Sequence, residues 1–171
     1  LEYSNAHIDA KEFGVFCVAM CRLFCDENGE GAKICWEHQG PGSPFGQTVW
    51  KILNYRNLYY ATQEHSMKQT VSDNPGWNPT GANRLNLHTQ YRSALFDRRC
   101  LNRSITALDE TLAFKHTDKG SVEHSGFASK ENKSAARENH GDIVIADALA
   151  CKMVIGDKKA RISEVVPVAQ L

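Results

Sequence analysis

No apolar run in this 171-residue chain approaches the ~20 residues that cross a bilayer, which excludes a helical membrane span. Excess charge of either sign is missing too. With 20 Lys and Arg against 20 Asp and Glu, the chain has no global field to draw it to nucleic acid, so such binding would need a local basic face. Proline is scarce, at five positions, and there is no internal repeat, which with 42% hydrophobic residues points to one soluble globular domain. The opening, LEYSNAHIDAKEF, has neither an initiator Met nor the features of a secretory signal, and it reads as the start of a piece of a longer protein. A Walker-type Gly-rich loop ending in Lys-Ser or Lys-Thr is absent, so no ATP site is expected.

Cysteine is not scarce. Cys17, Cys21 and Cys25 recur every four residues in an apolar helical pattern, Cys35 sits in a strand-like run, and Cys151 lies in another apolar helix. Three thiols at that spacing span ~12 Å along a helix, too far for one tetrahedral zinc with Zn–S bonds of ~2.3 Å. Buried core thiols in a reducing compartment are expected.

The segment from Asp9 to Cys25 places Phe13, Phe16, Cys17, Met20, Cys21 and Phe24 on one stripe, with Asp9 as N-cap and Glu12 completing a capping-box-like pair. Ala32–Glu37 reads as a short buried strand ending in the polar turn His38-Gln39-Gly40-Pro41-Gly42. Ser43-Pro44 opens a helix to about Leu53, and Asn57–Ala61 resembles a second strand. Residues 64–80 read as a loop, and Thr80 caps a helix over 81–98 lined by Leu87, Tyr91, Ala94 and Leu95. A short helix over 107–114 ends before the Lys119-Gly120 turn. The polar run Ser129–His140 leads into an apolar helix over 142–155 with Asp142 at its start, and the tail 157–171 has no assignable partner.

The alternation of helix and strand implies an α/β fold, with Ala32–Glu37 as a central strand. Glu37 then emerges at a strand's carboxyl edge, where open α/β sheets place ligands, and Asp142 stands where a buried helix begins. Two such carboxylates brought together can hold hard divalent cations, and paired metals ~3.5–4 Å apart promote phosphodiester cleavage. Gly40 and Gly42 either let backbone approach DNA phosphate or serve the turn. Lys130, Lys133 and Arg137 either contact phosphates or line a solvated loop, and His140 either assists a metal-bound water or merely turns the chain.

The succession Trp36-Glu37-His38-Gln39-Gly40-Pro41-Gly42, Tyr55-Arg56-Asn57-Leu58-Tyr59-Tyr60, Gly76-Trp77-Asn78-Pro79-Thr80, Leu108-Asp109-Glu110-Thr111-Leu112-Ala113-Phe114 and His140-Gly141-Asp142-Ile143-Val144-Ile145-Ala146-Asp147-Ala148-Leu149-Ala150 resembles the carboxy-terminal nuclease domain of the tailed-bacteriophage terminase large subunit, over roughly residues 8 to 155. That resemblance implies an RNase H-like mixed sheet flanked by helices, with residues 1–156 as the nuclease domain and 157–171 as its tail. It also implies Mg²⁺- or Mn²⁺-dependent cutting of concatemeric double-stranded viral DNA in the host cytoplasm. Glu37 and Asp142 match two of the family's metal-binding, catalytic acids. The family's first acid lies on a strand for which there is no room before the Asp9 helix, so the domain is expected to be amino-terminally incomplete. Glu2 does not fill that role, and Leu1–Ser4 is at most a strand remnant. The implied partners are the portal, the small terminase subunit and an upstream ATPase domain. Two alternatives stand beside this reading: a non-catalytic fragment that docks on DNA or the portal, and another RNase H-like nuclease such as a resolvase.

Overall fold

The computed structural model describes residues 3, 5, 7–62, 71–118, 120–125 and 141–156. An Asp9 side-chain oxygen accepts the Lys11 N–H at 2.8 Å and starts α1, Ala10–Leu23. The face that α1 buries centres on Gly14 and Val18, with Phe13, Cys17 and Cys21 of the expected stripe packed partly buried beside them, while Phe24 lies past the helix end and is 60% exposed. Thr48 approaches Gly14 so closely that a Cβ there would lie 3.2 Å from its side chain, which turns this face of α1 inward. α2, Gly42–Gln47, runs into a wider π-type turn over Thr48–Ile52 instead of continuing as one regular helix.

Residues 32–38 are extended, and successive side chains point to opposite sides. Ile34 and Trp36 enter a core with Val18, Phe45, Val49, Tyr55 and Leu58. Cys35 packs on a second core, formed by Trp77, Leu87, Tyr91, Ala94, Val144 and Leu149. The expected strand is therefore buried on both sides as read, but it does not pair as a central strand. The Ile34 N–H donates to the Asn57 carbonyl at 3.0 Å and the Ile34 carbonyl accepts from Tyr59 at 2.9 Å, whereas Trp36 and His38 bond Trp77, each at 2.8 Å. Backbone groups of residues 34, 36 and 38 all face one edge, and two separate stretches of chain share that edge. Neither pairing grows into a ladder, so only isolated parallel bridges form, Ile34 with Leu58 and Glu37 with Trp77.

Regular pairing occurs elsewhere. β1, Tyr60–Thr62, lies antiparallel to β2, Val71–Pro75, in an irregular register, and β3, Phe114–His116, forms a hairpin with β4, Val122–His124. Val71–Pro75 falls in the stretch read as loop. Its Ser, Asp and Asn side chains carry no strand signal, because backbone bonds at an exposed edge make this strand. The fold is thus mixed α/β with two small antiparallel sheets, which among the described residues replace the expected single mixed sheet.

α3, Gly81–Phe96, is capped by Thr80, whose hydroxyl accepts the Asn83 N–H at 3.2 Å. α4, Ile105–Leu112, is capped in the same way by Ser104, and α5 covers Asp142–Gly156. α3 and α5 pack side by side. Midway along α3, His88 packs against Phe114, whose ring lies against Gly141. Cys100, past the end of α3, and Cys151 of α5 line one cavity. All six cysteines are free; Cys151 is buried, Cys25 is exposed and the rest are half-buried, so the expectation of core thiols holds fully for Cys151 alone. No described helix is long and apolar enough to cross a membrane.

Candidate functional site

Glu37 stands at the end of the extended segment, with its backbone bridged to Trp77 and its carboxylate half-buried. Its Oε1 accepts a hydrogen bond from Arg84 Nη2 at 3.0 Å, forming an ion pair in which the two side chains keep 30% and 45% of their surface. Arg84 lies in the first turn of α3, where the helix dipole disfavours a cation, and the Glu37 carboxylate compensates for that placement. A guanidinium in contact with the carboxylate also opposes a divalent cation at the same oxygen.

Asp142 is the first residue of α5 and is exposed. The α5 N-terminus draws on a different carboxylate: Glu110, from α4, accepts the Val144 N–H at 3.3 Å through Oε2. Glu110, near the end of its own helix, thus serves as an acid at the start of a neighbouring one. Among the described residues, no group of three or more His, Cys, Asp or Glu side chains is placed to hold a metal ion. This overturns the expectation of a two-metal endonuclease and, with it, the Mg²⁺ or Mn²⁺ cofactor. Such chemistry needs several oxygen donors around each hard cation.

Gly40 and Gly42 are explained by the turn itself. Gly40 has φ of +56°, and a Cβ at Gly42 would overlap the Glu37 carbonyl oxygen, so the chain can reverse here only without side chains. Lys130, Lys133, Arg137 and His140, together with Glu2 and the tail 157–171, lie outside the described residues.

Two features were not anticipated from sequence. The first is a polar thread between α3 and α5: Asn102 Nδ2 donates to Tyr91 Oη at 2.9 Å and to Asp147 Oδ2 at 2.6 Å, beside a cavity of about 240 Å³. The second is an uncovered apolar stripe. Leu101, Ile105 and Leu112 are 75%, 76% and 81% exposed, and Leu108 lies between them at 38%. Positions 105, 108 and 112 fall on one face of α4, opposite the buried Ala107. The i, i+3, i+7 spacing was visible in the sequence as a helix signal, but only the packing tells which side faces outward. Arg98 and Arg103 flank the start of the stripe, both exposed, while Asp97 is engaged by Arg99 at 2.9 Å and Glu110 is turned to Val144. Asp109, exposed beside Leu108 in α4, adds an acid, so the rim of the stripe carries charges of both signs. No family model, no curated protein and no solved structure matches this chain, so the resemblance rests on the quoted motifs alone, and terminase, nuclease and metal-binding descriptions gain no support from known proteins.

Proposed function

We propose that this chain is a non-catalytic docking module that binds a protein partner through the Leu101, Ile105, Leu108 and Leu112 face. The observation that carries this reading is the exposure of three of those four large apolar side chains beyond 70% on one continuous stripe. Soluble monomers seldom leave such a patch without a use. Duplex DNA gains nothing from burying leucine, because its surface is a lattice of phosphates, and the stripe itself bears no cation. A protein groove gains the transfer energy of each side chain. Arg98, Arg103 and Asp109 around the stripe call for complementary charges of both signs around that groove. Among the partners implied by the resemblance, the portal is the occupant that suits this chemistry.

The test measures binding of the chain to the portal protein encoded in the same genome, by biolayer interferometry, for the wild type and for Ile105→Asp with Leu112→Asp. Both positions are exposed, so the double variant is expected to change stability by only about 0.5 kcal/mol per site while losing at least about tenfold in affinity. Equal binding by both proteins, or salt-sensitive binding to duplex DNA that both share in place of portal binding, sinks the reading.

A further inference from the structure

Cys100 and Cys151 lie in different elements, yet they are electrostatic neighbours and line one cavity of about 240 Å³ together with Tyr91, Asn102 and Asp147. Their access to solvent differs. Cys100 is half-buried in the cavity lining, whereas Cys151 is only 7% exposed. We propose that this dithiol is a covalent modification site for low-molecular-weight disulfides, oxidised glutathione being the probe, and that it closes to a Cys100–Cys151 disulfide tying the α3–α4 connection to α5. The inference does not depend on the docking reading.

The chemistry balances in two exchanges. The Cys100 thiolate attacks one sulfur of the small disulfide, forming a mixed disulfide at Cys100 and expelling one small thiolate, which takes up the proton that Cys100 has lost. The Cys151 thiolate then attacks the Cys100 sulfur, forming the protein disulfide and expelling the second small thiolate, which is protonated in turn. Two protein thiols are oxidised by two electrons, and one small disulfide is reduced to two thiols. The two thiols already share one cavity, so reaching a bond of ~2.05 Å asks for side-chain rotation in a space with room for it.

The order of events follows from the surroundings. Cys100 meets the reagent first because it is the more exposed of the two. Burial, the neighbouring Cys100 and the Asp147 carboxylate hold the Cys151 thiol up at about 11, with Arg99 opposing them; Tyr91 also faces it. Against an ordinary value of 9.0 this leaves roughly a hundredfold less thiolate at neutral pH, so the second exchange limits closure and quickens as pH rises. Exposed Cys25 provides the comparison within the same chain, a thiol open to the reagent.

The full chain is treated with oxidised glutathione, quenched in acid and mapped by non-reducing peptide mass spectrometry. The expected product is a peptide pair joined through Cys100 and Cys151, lighter by two hydrogens than the reduced pair and formed faster at higher pH, while Cys25 carries glutathione. Cys151→Ser should keep glutathione on Cys100, and Cys100→Ser should leave Cys151 a free thiol over the same interval. The wild-type map decides without relying on either variant's folding. Glutathione retained on Cys100 beside a reduced Cys151, or both thiols untouched once Cys25 is fully modified, would overturn the proposal.

Discussion

The two cores on either side of residues 32–38 are built from different chemistry. Beneath α1 and α2 the contacts are aromatic and apolar: Trp36 and Phe45 meet edge to face with centroids 5.8 Å apart, and Phe13 joins Phe45 at 5.5 Å. Between α3 and α5 the packing is threaded with polar groups, since Asn102 links Tyr91 to Asp147 and two thiols line the cavity beside them. The interlocked rings act as scaffold, holding the extended segment in place. The cavity, the reactive thiols and the uncovered stripe gather on the other side, where apolar packing is interrupted and side chains remain available for contact or chemistry.

The comparison breaks most visibly at Trp36. Gly46 and Gly76 lie directly against its indole ring, so truncation leaves a void that neither neighbour can fill with a side chain. Trp36→Ala is expected to cost about 3–5 kcal/mol in urea-induced unfolding. The net cost is expected at the lower end of that range, because the buried Trp36 Nε1 has no hydrogen-bond partner among the described residues. A loss below about 1 kcal/mol would show that the aromatic core is not the scaffold.

The thread between α3 and α5 should be next in size. Asn102→Ala removes the donor shared by Tyr91 and Asp147, and about 1–3 kcal/mol is expected for polar groups that lose a partner in a half-buried setting. If Asn102→Ala proved neutral while Asn102→Asp was destabilising, the thread would matter for its charge balance and not for the bond it donates.

The Glu37–Arg84 pair should matter less. Both side chains stay partly in water, so a double-mutant cycle with Glu37→Gln and Arg84→Met should return a coupling of about 0.2–1 kcal/mol that shrinks with added salt. A larger, salt-insensitive coupling would mean that the carboxylate is held by more than one surface cation, and would reopen the question of what this end of the segment binds.

Local signals in the sequence carried well and tertiary ones did not. Asp9 and Thr80 cap the helices they were expected to cap, and the apolar run Ile34-Cys35-Trp36 marked a buried extended segment. Those features are written in neighbouring residues. The pairing partners of that segment are not, because Asn57–Tyr59 and Trp77 compete for one edge and no local pattern reveals which will win. Arg84 was overlooked for the same reason: its partner is 47 positions away in sequence. Glu37 and Asp142 were legible as acids at the ends of elements. The inference that they shared metals failed on what surrounds them, a guanidinium at one and open solvent at the other.

The smallest expected effect is a pH dependence that belongs to the α3 side. Burial against Phe114, with the Arg84 charge adding to it, lowers the His88 pKa below its ordinary value of 6.5. The folded chain then binds fewer protons at this site than the unfolded chain does in the window from 6.5 down to the lowered value. This contribution to stability is fully present above pH 6.5 and is lost as pH falls through that window, since the unfolded state gains the proton first. His88 is only half-buried, so solvent screens part of the effect and a shallow slope is expected. Urea midpoints measured at a series of pH values should decline below about 6.5 in the wild type, and should decline less in His88→Gln, which keeps a polar group of similar reach but does not titrate. If the two curves run parallel, the slope belongs to the carboxylates, and the stacking of His88 on Phe114 is not sensitive to its charge.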